Sequence, residues 1–227
     1  MGTSTAPRLA IIDHHVLFAE AVGLALQAQG YAVRLVDVGD PRASSATVLN
    51  QAVRGGTQVA LLDRWLGPFG DGLRLVGPLR AAGVRVLVLT GSPDRACWGE
   101  CLRHGAAGVV PKSWPLDRVL ASVHRVRGGQ PLMPAAERAA LVELARREDA
   151  ETGEIRRRLA RLTPREAAVL GALMRGDPVG EIARAGVVSP ATVRSQVKSI
   201  LAKLELCSQI AAVGAAHRVG WRVPAAG

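Results

Sequence analysis

Short apolar, β-rich runs alternate with longer segments of helical periodicity over the first 127 residues of the chain. This alternation is typical of a parallel sheet that is wrapped by helices. It predicts strands at 9–12, 32–36, 59–62, 85–89 and 108–110, and helices at 16–29, 44–54, 72–82, 95–104 and 115–126. The pattern therefore predicts a doubly wound α/β domain of five strand–helix pairs.

The stretch RGGQPLMP at 127–134 breaks this alternation with paired glycines and two prolines. The charged segment that follows predicts a linker helix, because its apolar residues recur at helical spacing: Ala140, Leu141, Leu144, Ile155 and Leu159. A break of this helix near Thr152 and Gly153 is left open. The predicted organisation is an α/β domain over 1–127, a linker helix region over 128–160 and a small all-α domain over 161–227.

The C-terminal segment carries start and stop signals for four short helices. Thr163, Pro164 and Glu166 have the spacing of a capping box with a first-turn proline. A helix over 179–185 then turns through 186–188 into Ser189 and Pro190, a second cap with a first-turn proline. Two helices joined by a tight, glycine-containing turn indicate a helix-turn-helix.

The helix after this turn has one apolar and one polar face. The apolar stripe consists of Val193, Val197, Ile200, Leu201 and Leu204, and we expect it to be buried. The opposite face presents Arg194, Ser195 and Lys198, with Gln196, Ser199 and Lys203 on a flank. Basic side chains near the N-terminus of such a helix reach guanine edges or phosphates in the major groove. The sequence therefore predicts a DNA-binding helix.

Other helix starts supply candidate phosphate contacts. Ser189, Thr192 and Arg165 lie at or beside helix N-termini, where hydroxyl, backbone N–H and basic groups bind phosphate oxygens. We expect these three residues, and Lys203 on the flank, to add to the DNA contacts.

Net charge supports a polyanionic partner for the last third of the chain. The chain has a formal net charge of +10. Residues 1–127 carry 14 basic against 9 acidic residues, residues 128–154 carry 3 against 6, and residues 155–227 carry 12 against 4. The basic excess is therefore concentrated around the predicted helix-turn-helix.

Residues 162–213 resemble the LuxR-type helix-turn-helix family. The resemblance rests on LTPRE at 162–166, Gly176, EIA at 181–183, VSPATVRSQV at 188–197 and ILAKL at 200–204. It implies a four-helix domain whose last helix, at about 208–219, pairs two copies on a two-fold-related DNA site. Ile210 and Val213 fit that use, whereas Gln209 stands where the family usually has arginine.

Polar residues follow four of the predicted strands. Asp13 and His14 follow the first strand, Asp63 the third, Thr90 the fourth and Lys112 the fifth. In a doubly wound sheet these strand ends border the functional crevice. A carboxylate, a hydroxyl and an ammonium group are what a phosphoryl-accepting site needs besides Mg²⁺.

This pattern resembles the receiver domain of response regulators, and the whole chain resembles the NarL/FixJ type. The resemblance implies that Asp63 is the phosphoacceptor. His14 stands where the family has a second acidic residue, and Val109 stands at the usual aromatic switch position. Because Mg²⁺ prefers oxygen ligands, we expect Asp13 and Asp63 to bind it weakly or not at all, so that no cofactor is required.

The sequence thus favours a dimeric, DNA-binding transcriptional regulator with an atypical receiver that ordinary phosphorylation does not switch, of a kind known in actinobacteria. A sensor kinase or a small-molecule ligand is the expected source of its signal. The alternative is a conventional response regulator that a sensor kinase phosphorylates on Asp63. An enzyme is disfavoured because no glycine-rich phosphate loop or catalytic triad spacing is recognisable. The N-terminus lacks the order of a signal peptide and the cysteines lack disulfide spacing, so we expect a cytoplasmic protein without membrane contact.

Overall fold

A computed structural model describes residues 6–39 and 43–224 of the chain. These fall into two compact units, Met1–Arg146 and Arg147–Gly227. The outermost residues of the predicted N- and C-terminal domains, 1–5 and 225–227, lie outside the described residues.

The first unit contains five strands, β1 (Arg8–Ile12), β2 (Ala32–Val36), β3 (Val59–Asp63), β4 (Arg85–Thr90) and β5 (Gly108–Pro111). They form one parallel sheet with the strand order β2-β1-β3-β4-β5. Its helices are α1 (Val16–Ala28), α2 (Ser45–Val53), α3 (Val76–Ala81), α4 (Arg95–Arg103) and α5 (Leu116–Arg127). The predicted doubly wound α/β architecture is confirmed.

The two faces of the sheet are buried in separate apolar layers. Leu9 and Ile11 of β1 belong to the layer that includes α1 and α5, whereas Ala10 and Ile12 belong to the layer that includes α2, α3 and α4. Successive side chains of a strand point to opposite faces. Both faces of β1 are therefore covered, as the near-continuous apolar strand runs indicate.

One predicted helix is shorter than expected. The segment predicted as helix over 72–82 begins as a 3₁₀ turn, Gly72–Leu75, before α3 starts at Val76. Pro78 lies in the first turn of α3, the only part of a helix where its missing N–H costs no hydrogen bond. The apolar spacing predicts a helical segment correctly, but Pro78 limits the regular α-helix to the second half of that segment.

A continuous helix of 25 residues, α6 (Ala135–Leu159), runs across the division between the two units. Thr152 Oγ1 donates a hydrogen bond to Glu148 O at 2.9 Å, a local bond that is compatible with the helix. The possible break near Thr152 and Gly153 is therefore absent from α6.

The second unit contains four further helices, α7 (Pro164–Arg175), α8 (Val179–Ala185), α9 (Pro190–Leu204) and α10 (Gln209–Arg218). They share one apolar core, to which Leu170, Val193, Ile200, Ala212 and Ala216 contribute. The predicted small all-α domain of four helices is confirmed.

No single helix in the described part of the chain is both long and apolar enough to span a membrane. α9 and α10 meet the length and composition criteria only when taken together, with a bend of 55° between them.

Candidate nucleic-acid interface and acidic pocket

The start of α9 is fixed by its cap and by the turn that precedes it. Ser189 Oγ accepts a hydrogen bond from Thr192 N at 3.1 Å, and Pro190 occupies the first turn. Val187 in the turn has a φ of 51°, a left-handed conformation that is unfavourable for a β-branched residue. The residue with a left-handed backbone in this turn is therefore Val187, whereas Gly186 has a negative φ.

The two faces of α9 are divided as the sequence predicts. Val193, Ile200 and Leu204 are buried, and Val197 and Leu201 pack against the same core from partly buried positions. Arg194, Ser195 and Lys198 are exposed on the opposite face. Because the apolar stripe is buried, these three side chains face away from the core and form a polar surface, which we call the α9 face.

The predicted phosphate contacts lie near this surface. Ser189 and Thr192 are exposed, and their hydroxyl groups lie 2.9 Å apart at the start of α9. Arg165 is exposed in the first turn of α7 and lines the same groove as Gln196 of α9. Ser189 and Thr192 therefore lie at the start of the helix that carries the α9 face, and Arg165 lines a groove together with that helix.

Lys203 is placed differently from the other candidates. Its ammonium group lies 2.6 Å from Glu166 Oε2, while Ser199 Oγ donates to Glu166 Oε1 at 2.7 Å. Thr163 N also donates to the Glu166 carboxylate, at 2.7 Å, which closes the predicted capping box. Lys203 thus joins α9 to α7, and this geometry gives no support to its prediction as a DNA contact.

Glu166 is the centre of that network, a role that the sequence showed only as a helix cap. Burial by itself raises the pKa of its carboxyl, but the hydrogen bonds from Lys203, Ser199 and Thr163 lower that pKa to about 2. The carboxylate is therefore ionised at neutral pH and links α7, with its cap residue Thr163, to α9.

α10 buries one face and exposes another. Ala212 and Ala216 are in the core, whereas the side chain of Ile210 is 86% exposed. Val213 is only partly buried.

The polar residues at the strand ends of the first unit converge on one acidic pocket. Lys112 Nζ lies 2.8 Å from Asp63 Oδ2 and 2.8 Å from Asp13 Oδ2. Both carboxylates are buried. Thr90 is also buried at the end of β4, but its hydroxyl accepts a hydrogen bond from Ser92 N at 3.0 Å rather than bonding to Asp63.

Two histidines complete this pocket, and the sequence identified only the first. His14 Nδ1 lies 2.8 Å from Asp63 Oδ2. His15 Nδ1 lies 3.3 Å from Asp13 Oδ1 and 3.6 Å from Asp63 Oδ2. His15 stands at the cap position of α1 and its side chain does not cap the helix. The pair of adjacent histidines directly after β1 was the signal that could have found it.

Asp13 is a buried carboxyl that lies close to a second carboxyl, that of Asp63. Burial raises the pKa of its carboxyl above the ordinary range, against the hydrogen bonds from Lys112 and from His15 N, which lower it. The neighbouring Asp63 raises it further. A buried carboxylate of this kind is stabilised by a cation at the same place.

The chain is similar to known bacterial regulators. Residues 160–216 match the family described as "Bacterial regulatory proteins, luxR family". The probable transcriptional regulatory protein NarL of Mycobacterium tuberculosis is 29% identical over 217 residues, which cover 93% of this chain and 94% of that protein. The putative positive transcription regulator of virulence factors BvgA of Bordetella pertussis is 28% identical over 213 residues, with coverages of 93% and 97%.

Among solved structures, the chain is similar to the RcsB response regulator of Salmonella typhimurium, with a TM-score of 0.47, 22% identity and coverages of 94% and 99%. The helix-turn-helix of α8 and α9, the family match over the same helices and the full-length similarity to named regulators agree with one another. The chain thus contains a LuxR-type DNA-binding domain at 160–216, and over nearly its whole length it is similar to transcriptional regulators.

Proposed function

We propose that the chain acts as a homodimer that reads a two-fold-related DNA site with α9, and that ordinary Mg²⁺-dependent phosphorylation does not switch its receiver. In this proposal residues 1–127 form the receiver, 128–160 the linker region and 161–227 the DNA-binding domain. The observation that carries the proposal is the environment of Asp63 Oδ2, which lies 2.8 Å from both His14 Nδ1 and Lys112 Nζ.

The α9 face supplies the proposed base contacts. Arg194, Ser195 and Lys198 lie in the first half of α9, are exposed, and stand opposite the buried stripe of the same helix. A helix presented in this way enters the major groove with its N-terminal residues towards base edges. Ser189, Thr192 and Arg165 are the proposed phosphate contacts beside it.

α10 supplies the proposed dimer contact. Ile210 is exposed by 86% on a helix whose opposite face is already buried in the unit. Two copies of such a helix bury one another's apolar side chains around a two-fold axis, which matches a two-fold-related DNA site.

The phosphorylation part of the proposal follows from the residues that contact Asp63. Mg²⁺ is held by hard oxygen ligands in near-octahedral geometry. Here an imidazole nitrogen of His14 occupies the position next to Asp63 Oδ2, so the residues present do not fit Mg²⁺ well. Asp13, Asp63, Thr90 and Lys112 are all retained, however, and this favours a conventional phosphorylated regulator as the second candidate.

DNA affinity measured with and without a small phosphodonor separates the two candidates. The DNA is the site that the full chain selects from a random-sequence pool. We expect the dissociation constant to be unchanged when acetyl phosphate and Mg²⁺ are added, for the wild type and for Asp63→Ala alike. A donor effect that is present in the wild type and lost in Asp63→Ala would establish the conventional mechanism instead.

A further inference from the structure

The acidic pocket contains four side chains that can act together as metal ligands, a role that the proposed function does not include. Asp13, His14, His15 and Asp63 each offer one nitrogen or carboxylate oxygen atom, and these atoms all lie within 4.8 Å of one another. We propose that this pocket binds one divalent transition-metal ion of the zinc class through these four side chains, in place of Mg²⁺. The inference rests on the proposed function only in taking the receiver to be atypical, and it names a ligand for it.

The spacing of the donor atoms fits a single small ion. Around a tetrahedral Zn²⁺ with bonds of about 2.0–2.2 Å, neighbouring ligand atoms lie about 3.4 Å apart. Asp13 Oδ1 lies 3.3 Å from His15 Nδ1 and 3.9 Å from His14 Nδ1. Asp63 Oδ2 lies 3.6 Å from His15 Nδ1 and 2.8 Å from His14 Nδ1. Shifts of less than about 1 Å at side-chain ends bring these pairs to the ideal spacing.

The chemistry of the donors selects against Mg²⁺ and for a borderline metal. Two imidazoles and two carboxylates are a mixed nitrogen and oxygen set, which suits Zn²⁺, Fe²⁺, Co²⁺ or Ni²⁺. Mg²⁺ requires oxygen atoms and retains several of its waters. The exchange of one acidic residue for His14 therefore changes which metal the pocket prefers, and it does so without removing the pocket.

Lys112 occupies the place that the ion would take. Its ammonium nitrogen lies 2.8 Å from Asp63 Oδ2, 2.9 Å from Asp13 Oδ1 and 3.1 Å from His15 Nδ1. A single cation thus already contacts three of the four donor groups. The ammonium and a metal ion exclude each other, so metal binding requires Lys112 to move out of the pocket.

Asp13 shows that the ammonium satisfies the pocket incompletely. The Asp13 side chain is fully buried, yet its Oδ2 atom accepts no hydrogen bond from any described residue. Lys112 Nζ lies at hydrogen-bond distance from it, but without the direction of a hydrogen bond. A metal ion has no such directional requirement, so it can bind Asp13 through Oδ2 as well as through Oδ1.

The two imidazoles lie on the side of the pocket from which a metal ion can enter from solvent. The side chains of His14 and His15 are 26% and 57% exposed, whereas those of Asp13 and Asp63 are 0% and 4% exposed. Gly67 lies against the His14 ring, where a methyl group in place of its hydrogen would come within 3.2 Å of His14 Cδ2. The pocket is therefore open on its histidine side, with the His14 ring supported from the loop after β3.

Metal titration of the full chain tests this inference, with Zn²⁺ in a calorimetric titration and Co²⁺ as a spectroscopic probe. We expect one ion per chain, with Zn²⁺ binding at least about a hundredfold more tightly than Mg²⁺. His14→Ala and His15→Ala should each weaken Zn²⁺ binding at least about tenfold. His104→Ala is the matched control, because His104 is exposed and lies outside the pocket.

Two further variants give results that loss of folding cannot imitate. Lys112→Met should strengthen Zn²⁺ binding several-fold, because it removes the competing ammonium and keeps the length of the side chain. His14→Asp should shift the preference of the pocket from Zn²⁺ towards Mg²⁺. Zn²⁺ affinity that is unchanged in both His14→Ala and His15→Ala, or sulfur-to-cobalt charge-transfer bands in the Co²⁺ spectrum, would overturn the inference.

The test is separate from that of the proposed function. If Zn²⁺ does not bind and the DNA affinity does not respond to the phosphodonor, the metal inference is wrong. The proposal of an atypical receiver is then unaffected. A phosphodonor effect that depends on Asp63 removes the atypical receiver, whatever the Zn²⁺ titration gives.

Discussion

At the residue scale, side chains of similar type have quite different surroundings in this protein. Arg194 and Lys198 are exposed on the α9 face, whereas Lys203 on the same helix lies 2.6 Å from the Glu166 carboxylate. All three are basic residues on a helix expected to bind DNA. Only the partner of each ammonium or guanidinium group distinguishes a residue that is available to DNA from one that stabilises the domain.

Removal of the basic groups on the α9 face should weaken DNA binding without unfolding the protein. We expect Arg194→Ala or Lys198→Ala to cost about 1–3 kcal/mol of specific binding free energy, because each removes a charged donor to a base edge or phosphate. A mobility-shift titration measures this loss. Arg146→Ala is the control, since Arg146 is an exposed arginine of α6. Equal binding by Arg194→Ala and the wild type would exclude the proposed contact.

The Glu166 network should make stability depend on pH. The pKa of this carboxyl is about 2 in the folded protein against an ordinary 4.5, so its stabilising effect is complete above pH 4.5 and is lost as the pH falls from 4.5 to 2. We expect Glu166→Gln to lower the free energy of unfolding by about 2 kcal/mol at pH 7.

Urea unfolding of the wild type and of Glu166→Gln at several pH values checks this prediction. The difference between the two proteins should shrink between pH 4.5 and pH 2. A difference that stays constant over this range would mean that the charge of Glu166 is not what stabilises the unit.

At the element scale, the turn before α9 and the packing of α6 are two features that local pattern did not specify. Val187 adopts a φ of 51° although Gly186 precedes it. In the first unit, α6 lies so close to α4 that a methyl group at Gly99 would be 1.9 Å from the Leu141 carbonyl oxygen. The turn requires a left-handed backbone at residue 187, and the packing of α6 on α4 requires a residue without a side chain at position 99.

Glycine at position 187 should stabilise the protein. The Val187 side chain is 91% exposed, so its removal loses little packing, whereas it relieves a left-handed conformation that costs a non-glycine residue about 1 kcal/mol. We expect Val187→Gly to raise the free energy of unfolding by up to about 1 kcal/mol, as measured by thermal or urea unfolding. A decrease in stability would show that the valine side chain has a packing role.

Two glycine-to-alanine changes should have opposite effects. Gly99→Ala should destabilise the first unit by about 1–3 kcal/mol, because backbone atoms of α6 must move away from α4. Gly153→Ala in α6 meets no atom within 4 Å and should stabilise the helix by about 0.5–1 kcal/mol. Calorimetric unfolding of both variants is the measurement. Equal effects of the two changes would contradict close packing at Gly99.

At the scale of the whole molecule, the distribution of charge separates the tasks of the two units. The +8 charge of residues 155–227 accompanies the α9 face, and Ile210 in the same unit is 86% exposed. Electrostatic attraction to DNA and pairing between two copies of the chain are therefore both assigned to the C-terminal unit in our proposal.

Loss of the apolar contact at Ile210 should separate the dimer. We expect Ile210→Lys to shift the full chain towards monomer in sedimentation velocity and to weaken binding to a two-fold site at least about tenfold, since paired half-sites are bound together. Leu24→Lys, a matched change at another exposed apolar residue on α1, should have no such effect. Dissociation caused only by Leu24→Lys would move the interface to the first unit.

The sequence by itself determined the order of elements, both architectures and the two faces of α9. These depend on periodicities of a few residues, and the caps at Thr163 and Ser189 stand next to the helices that they start. The residues at the strand ends were identifiable for the same reason, because each follows directly on an apolar run.

Tertiary structure alone decided which of these residues meet. His14 and Asp63 are 49 positions apart and Asp13 and Lys112 are 99 apart, and no local pattern records their distances. The role of His15 in the pocket, the pairing of Lys203 with Glu166 and the approach of Gly99 to Leu141 all depend on how separate elements pack. Packing is a property of the whole chain, whereas propensity and periodicity are properties of short segments.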